Sequence, residues 1–477
     1  MKSKVLAIWD AVRSSFWFVP AAMVVGAMAL AWLTTILDEQ FATAQLAGIE
    51  WIYSGSAEGA RSMLSTVAGS MLTVAGLTFS ITIAALTLAS SQFGPRLLRN
   101  FMRDTGNQVV LGTFIAGFIY CLLVLRTVRG QEGNVFVPHI SVTVGVGMAL
   151  AGVAVLIYFI HHIAQSIQAA HLIARVGDEL DEAIDRLFPE RIGRPAPRDR
   201  RPLPEEELPP GFDHEAVAIP ATGSGYLQTV DNNRLLEIAT GGDMILSLVH
   251  RPGDWVVQED PLVWAWPADN VGPDLVDRVN DVFTLGVQRT QTQDVEFPMW
   301  QLVEIAVRAL SPGINDPHTA IMCIDRLGAA LCRLSSRVLP SSYRYDESGQ
   351  LRVIAKPETR PEMTDVAFNE IRQYGRSSAS VTIRLLETIA RVAARVTNPE
   401  DQAALLRQAM MIERGSHESL PEEQDRRDVS DRYQAVLRAV RERATDVAAG
   451  QGEAPQSEDT SSHQQTNQPE AESSSAF

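Results

Sequence analysis

The sequence predicts a multi-spanning α-helical membrane protein: four transmembrane helices followed by a cytosolic α+β domain. Three observations carry this expectation. The first 165 residues hold four uncharged apolar runs of about 20 residues or more, each long enough for a ~30 Å hydrocarbon core. Charge is segregated, so that the net charge of −16 sits almost wholly in residues 175–477. Beyond a proline-rich break at 189–211, strand-like alternation gives way to helical periods. The implied division is a cytosolic N-terminus (1–13) and a transmembrane part (14–165, spans about 14–37, 62–92, 107–125 and 139–162). A helical stalk (166–188), a linker (189–211), a small β-rich subdomain (212–270), a mainly helical subdomain (271–445) and a disordered tail (446–477) follow.

The first span lies between Arg13 and Asp38, and its apolar run is longer than a signal-peptide core, which favours a retained helix over a signal peptide. The second is unusual. From 62 to 95 no side chain is charged, yet Ser62, Thr66, Gly69, Thr73, Gly76, Ser80, Thr87 and Ser90 recur at steps of four and three, with Ile83 interrupting the series. That period places a small, polar seam on one helix face, expected to meet protein or water rather than lipid. Two readings stay open: close helix packing through small residues, or the hydroxyl-lined wall of a water-filled pore. Whether 62–95 is one helix or two pieces broken near Gly69 or Gly76 is open at this stage.

Loop charges set the orientation. Lys2, Lys4 and Arg13 precede the first span and Arg96, Arg99 and Arg103 follow the second, whereas the first loop carries Asp38, Glu39, Glu50 and Glu58 against Arg61 alone. Arg126 and Arg129 make the third loop ambiguous, but the balance places both termini in the cytoplasm of a cell with this protein in its inner (plasma) membrane. In PRLLRNFMRD, Arg96, Arg99 and Arg103 share one face, a basic collar suited to anionic lipid; the plainer alternative is a basic inter-span loop. His161 and His162 are adjacent, so they point to different helix faces and read as interfacial polar residues rather than a metal or proton-sensing pair. Beyond them Ile173, Val176, Leu180, Ala183 and Leu187 form an apolar stripe able to pair with a neighbouring copy, which implies a homo-oligomer.

In the soluble half AVAIP, GYLQTV, MILSLVH and WVVQEDPLVWAW read as strands, with a short helix DNNRLLEIAT capped by Asp231. PDLVDRVNDVFTLGVQR and PMWQLVEIAVRAL read as helices, and Asp316 with Pro317 starts a third. A hairpin is expected at YRYDESGQLRVIAK, then helices near 361–374, 377–396, 399–414 and 428–446.

Taken in order, ASSQFGPRLLRNFMRD after a Ser/Thr-rich span, GYLQTVD, RPGDWVV and ALSPGINDPHTA resemble the bacterial predicted membrane protein family called domain of unknown function 2254, over roughly residues 10–420. The C-terminal tail departs from that pattern. The resemblance implies a multi-spanning membrane protein with a cytosolic domain and carries no activity with it.

Chemistry is sparse. Lysine occurs only at 2, 4 and 356, which leaves no Walker loop, Schiff-base lysine or lysine-borne cofactor. Cys121, Cys323 and Cys332 have neither disulfide nor metal spacing. No HExxH, DxDxDG, GxGxxG or GxSxG pattern is present, so no enzyme activity, metal or cofactor is expected. The acidic balance argues against nucleic acid as a partner. The best soluble constellation is Arg289, Asp294, Asn315, Asp316, His318 and Thr319, which would suit a small polar or anionic ligand if the two segments meet. The plain alternative is Asp316 as a helix cap and Arg289–Asp294 as a loop-fixing ion pair. Two functions follow as expectations: an oligomeric pore or conduit gated by the cytosolic domain, or a membrane-anchored ligand-sensing or scaffold protein without transport.

Overall fold

Four helices, α1 (Phe18–Gln40), α2 (Ala57–Phe93), α3 (Thr105–Thr127) and α4 (His139–Ser166), are each long and apolar enough to cross a membrane. The computed structural model describes residues 17–40, 52–94, 104–131, 134–166, 168–188 and 208–451. The collar arginines Arg96, Arg99 and Arg103, the linker from 189 to 207 and the tail from 452 onward lie outside the described residues. Helix α3 is the centre of the bundle: it packs on the other three, and 56% of its apolar window is buried against 22% for each of them. The second span is one continuous helix of 37 residues, about 55 Å at 1.5 Å per residue. Neither Gly69 nor Gly76 breaks it.

The bundle is pinned by polar contacts at its two ends. Asp38, near the end of α1, accepts from the backbone amides of Ile140 (2.7 Å) and Ser141 (2.9 Å) and from the Ser141 hydroxyl (2.6 Å). Those amides are donors without intrahelical partners in the first turn of α4, so one span caps another and brings a carboxylate to its positive end. Tyr120 reinforces the corner by donating to the Ser141 carbonyl. At the opposite end Asp104 caps α3 through the Gly106 amide (2.8 Å) and lies 2.8 Å from His162 Nε2. His162 is therefore engaged by the third span while His161 is exposed, as expected for adjacent helical positions. Between α3 and α4, β1 (Arg129–Gln131) and β2 (Asn134–Phe136) form a short antiparallel hairpin.

Helix α5 (Ala169–Leu187) carries the expected apolar stripe, but the stripe is used within the chain. Ile173, Val176, Leu180 and Ala183 are fully buried in the core of the soluble domain, packed with α9 (Glu296–Ala309) and α10 (Pro317–Ser335). The expectation that this stripe pairs with a neighbouring copy is corrected. Burying it against two helices of its own chain removes the same apolar area from water without a second molecule.

The β-rich part begins after a helical turn, α6 (Phe212–Glu215), with β3 (Val217–Pro220), β4 (Gly225–Val230), α7 (Asn232–Gly241) and β5 (Ile245–Leu248). It continues through β6 (Trp255–Val256), β7 (Pro261–Trp266), α8 (Pro273–Asn280) and β8 (Phe283–Gly286). Asp231 caps α7 as expected, accepting from the Arg234 amide. The run expected as one long helix from Pro273 is corrected: α8 ends at Asn280, and Phe283–Gly286 pairs antiparallel with β4. Its Phe and Thr suit a strand, and a sheet edge awaits it, so tertiary pairing wins over the helical period. A five-stranded sheet runs β3-β7-β5-β10-β9, closed by the hairpin β9 (Tyr343–Tyr345) and β10 (Leu351–Ile354), in which β10 lies parallel to β5. Gly349 turns that hairpin with φ 80°. Helices α11 (Arg360–Gly375), α12 (Ala379–Ala393), α13 (Pro399–Ser419) and α14 (Glu423–Gln451) join α5, α9 and α10 around that same core, which includes Phe368, Leu385 and Ile389.

Candidate functional site

The seam residues of α2 face away from their own bundle. Leu64, Ala68, Met71, Ala75, Thr78, Ala85 and Ala89 form the buried side of that helix. Ser62, Thr66, Gly69, Thr73, Gly76, Ser80 and Thr87 are exposed, and Ser90 is half-buried. Within one chain, no described helix packs closely on this face. The hydroxyls are turned onto their own backbone: Thr66 donates to the Ser62 carbonyl (2.7 Å), Thr73 to Gly69 (2.9 Å), Ser80 to Gly76 (2.9 Å) and Thr87 to Ile83 (2.9 Å). Each keeps its oxygen lone pairs available outward, so the face offers acceptors without leaving a donor unsatisfied.

The C-terminal end of this span rests on the soluble domain. Ala89 belongs to the same buried core as α5 and α9. Gly94, with φ 111°, closes the helix, and a β-carbon there would collide with the Glu304 carboxylate and sit 3.0 Å from Arg308 Nε. Both partners lie on α9. The glycine of the SSQFGP segment is thus favoured by its positive φ, at a point where membrane helix and soluble helix approach closely.

The soluble constellation divides. Arg289 and Asp294 form a close pair (Nε to Oδ2 2.7 Å) before α9 begins, whereas Asn315, Asp316, His318 and Thr319 follow its end. Fourteen helical residues separate the two groups, about 21 Å of rise. The idea that the two loops converge on one ligand is corrected by this intervening helix. Asp316 caps α10, accepting from the Thr319 amide (3.2 Å) and hydroxyl (2.6 Å), and the Thr319 hydrogen bond holds its pKa below the usual range. His318 is exposed at the first turn.

What surrounds Arg289 instead is a knot of charges joining the β-rich part to the helices. The RPGDW turn supplies Arg251, which donates to Glu296 (2.7 Å), to Glu362 (2.7 Å) and to the Pro357 carbonyl (3.1 Å). Glu296 also meets Arg289 at 3.4 Å, and Asp294 accepts from the Phe297 amide, capping the first turn of α9. Burial works against the charge on both arginines. The carboxylates outweigh it, Glu362 and Glu296 for Arg251 and Asp294 and Glu296 for Arg289, so both pKa values rise. Beside the knot, burial pushes the Glu358 carboxyl up to about 7; Arg251 pulls against this, while Asp294 and Glu296 add to it. Sequence reasoning placed Arg289 with Asp294 but missed Arg251, Glu296, Glu358 and Glu362, whose signal was only that RPGDW and QDVEF each carry charges beside a turn or helix start. Among the described residues no group of three or more His, Cys, Asp or Glu side chains is arranged to hold a metal.

An uncharacterized protein of Mycobacterium bovis and one of Mycobacterium tuberculosis are each 34% identical to the chain over 406 residues, 84% of this chain and 75% of the relative. No solved structure matches. Residues 13–391 match the family described as "Predicted membrane protein (DUF2254)", and the chain belongs to that family.

Proposed function

We propose that this protein is a homo-oligomeric pore or conduit of the cell inner (plasma) membrane, with both termini cytoplasmic and its α+β domain acting as the gate. The observation that carries the reading is the outward-facing hydroxyl seam of α2, which its own bundle leaves uncovered. Symmetry-related copies that bring these faces together would enclose a path lined by hydroxyl oxygens and backbone exposed at glycine. The contact of Gly94 with Glu304 and Arg308 supports gating, because it ties the lining helix directly to α9. With the second span free of ionisable groups from Ser62 onward, the path suits a permeant that needs hydroxyl solvation rather than a carboxylate relay. Purified protein in planar bilayers should conduct, and Thr73→Leu or Ser80→Leu should reduce that conductance several-fold. Silent bilayers, or a strict monomer in detergent and in nanodiscs, would refute the conduit.

A second reading is a membrane-anchored ligand-sensing or scaffold protein with no transport activity. It draws support from the back-bonded hydroxyls, which are already satisfied against lipid. A monomer that nevertheless binds small molecules through its soluble domain would favour it.

A further inference from the structure

A cavity of about 220 Å³ opens where the end of α5, the strand β5 with its following turn, and the hairpin arm β9 meet. It is separate from the hydroxyl seam and from Asp316. Its apolar wall includes Phe188, Leu248 and Pro252, and its polar side includes Arg344, Ser342 and Lys356, with the Glu358 carboxyl, which burial keeps largely protonated below about pH 7, at one edge. The cations around it are not equivalent. Arg251 is committed to Glu296 and Glu362, and Lys356 to Asp254 at 2.9 Å. Arg344 is different: it donates to the backbone carbonyls of Ser341 and Tyr343, and no carboxylate pairs with it among the described residues. Burial depresses its pKa.

A partly buried guanidinium that meets only neutral acceptors holds a charge which the fold does not neutralise, and such a charge is costly unless an anion supplies the missing partner. Arginine presents a planar fork of donors matched to carboxylate and phosphate oxygens. Two features bound the ligand's size and character. The volume lies below the ~300–1,000 Å³ of drug-sized sites, and one wall is apolar. We propose that this cavity binds a small organic anion, its carboxylate or phosphate on the Arg344 guanidinium and its apolar portion against Phe188, Leu248 and Pro252. The site does not depend on the conduit reading, since it uses no seam residue and needs one copy of the chain. It also joins the last residue of the membrane-connected helix α5 to both sheet and hairpin, so occupancy would tie three segments that are otherwise remote in sequence.

The test is calorimetric titration of the full-length chain in detergent with phenyl phosphate and with benzoate, using benzyl alcohol as the uncharged control. Saturable binding of at least one anion, and none of benzyl alcohol over the same range, is expected. Arg344→Gln should weaken that binding at least tenfold, with Arg344→Lys intermediate. Ser342→Trp should block it by filling the cavity without touching the charge. Absence of saturable binding by both anions overturns the proposal. So does undiminished binding in either Arg344→Gln or Ser342→Trp, with folding of each checked by its unfolding temperature; should Arg344→Gln fail to fold, Ser342→Trp decides.

Discussion

Gly253 sits against Asp294 so closely that a β-carbon at 253 would lie 2.6 Å from the Asp294 Oδ2 and 2.7 Å from Arg289 Nη2. Its φ of 97° is also one that side chains rarely adopt. Steric overlap and backbone strain act in the same direction, so Gly253→Ala should destabilise the protein by about 1–3 kcal/mol or more. Gly313→Ala, where a β-carbon meets nothing within 4 Å, should stay within about 0.5 kcal/mol of wild type. Thermal unfolding of the two variants side by side checks the contrast.

The trans-cap on the fourth span makes Asp38 a stability residue of the bundle. Asp38→Ala leaves two amides and a hydroxyl without their acceptor, at a cost of roughly 2–5 kcal/mol. Asp38→Asn keeps one carbonyl oxygen as acceptor and should cost less. Unfolding midpoints in detergent should rank wild type above Asn above Ala; equal midpoints would contradict the cap.

Glu358 gives stability a pH dependence of unusual sign. Its carboxyl titrates near 7 in the folded chain against 4.5 for the free group, so between those values the folded state holds more protons than the unfolded state. Stability from this group is therefore full below about pH 4.5 and is lost as pH rises through about 7. Glu358→Gln cannot titrate. The difference in unfolding free energy between Glu358→Gln and wild type should grow in favour of the variant across that window and level off above it. Asp185, which the Arg333 hydrogen bond lowers, and Glu362, lowered by Arg251 against the opposing effect of burial, contribute in the opposite sense at acid pH. Reading the Glu358 effect as a difference between variant and wild type removes them.

Contact between Gly94 and Glu304 predicts a suppressor. Gly94→Ala drives a methyl group into the Glu304 carboxylate and should loosen the junction of α2 with α9. Glu304→Ala removes the side-chain obstacle but not the strain at φ 111°, so the double variant should recover part of the loss, with a coupling of about 0.5–3 kcal/mol. Hydrogen exchange across Glu296–Ala309 reports the loosening and its reversal.

The spans were legible because lipid imposes a rule on every residue at once: no charge across about 20 positions. Caps were legible too, since Asp231 and Asp316 act on amides only three residues away. The charge knot was not, because Arg251 meets Glu296 and Glu362 across 45 and 111 residues, and nothing in RPGDW names those partners. Phe283–Gly286 was misassigned for a related reason: a four-residue apolar stretch fits either period until a strand edge is available to choose. The stripe of α5 was correctly seen as apolar, but periodicity says only that a face is buried and not which molecule buries it.

An unbroken α2 of about 55 Å also behaves as a lever. One end is seated on α9 at Gly94, and the helix packs along its length on the central α3. A tilt of about 10° at the seated end would sweep the far end through roughly 10 Å, since a rigid rod moves in proportion to its length. A tilt imposed at Gly94 would therefore reach the far end of the span enlarged, since no break in the helix lies between to absorb it.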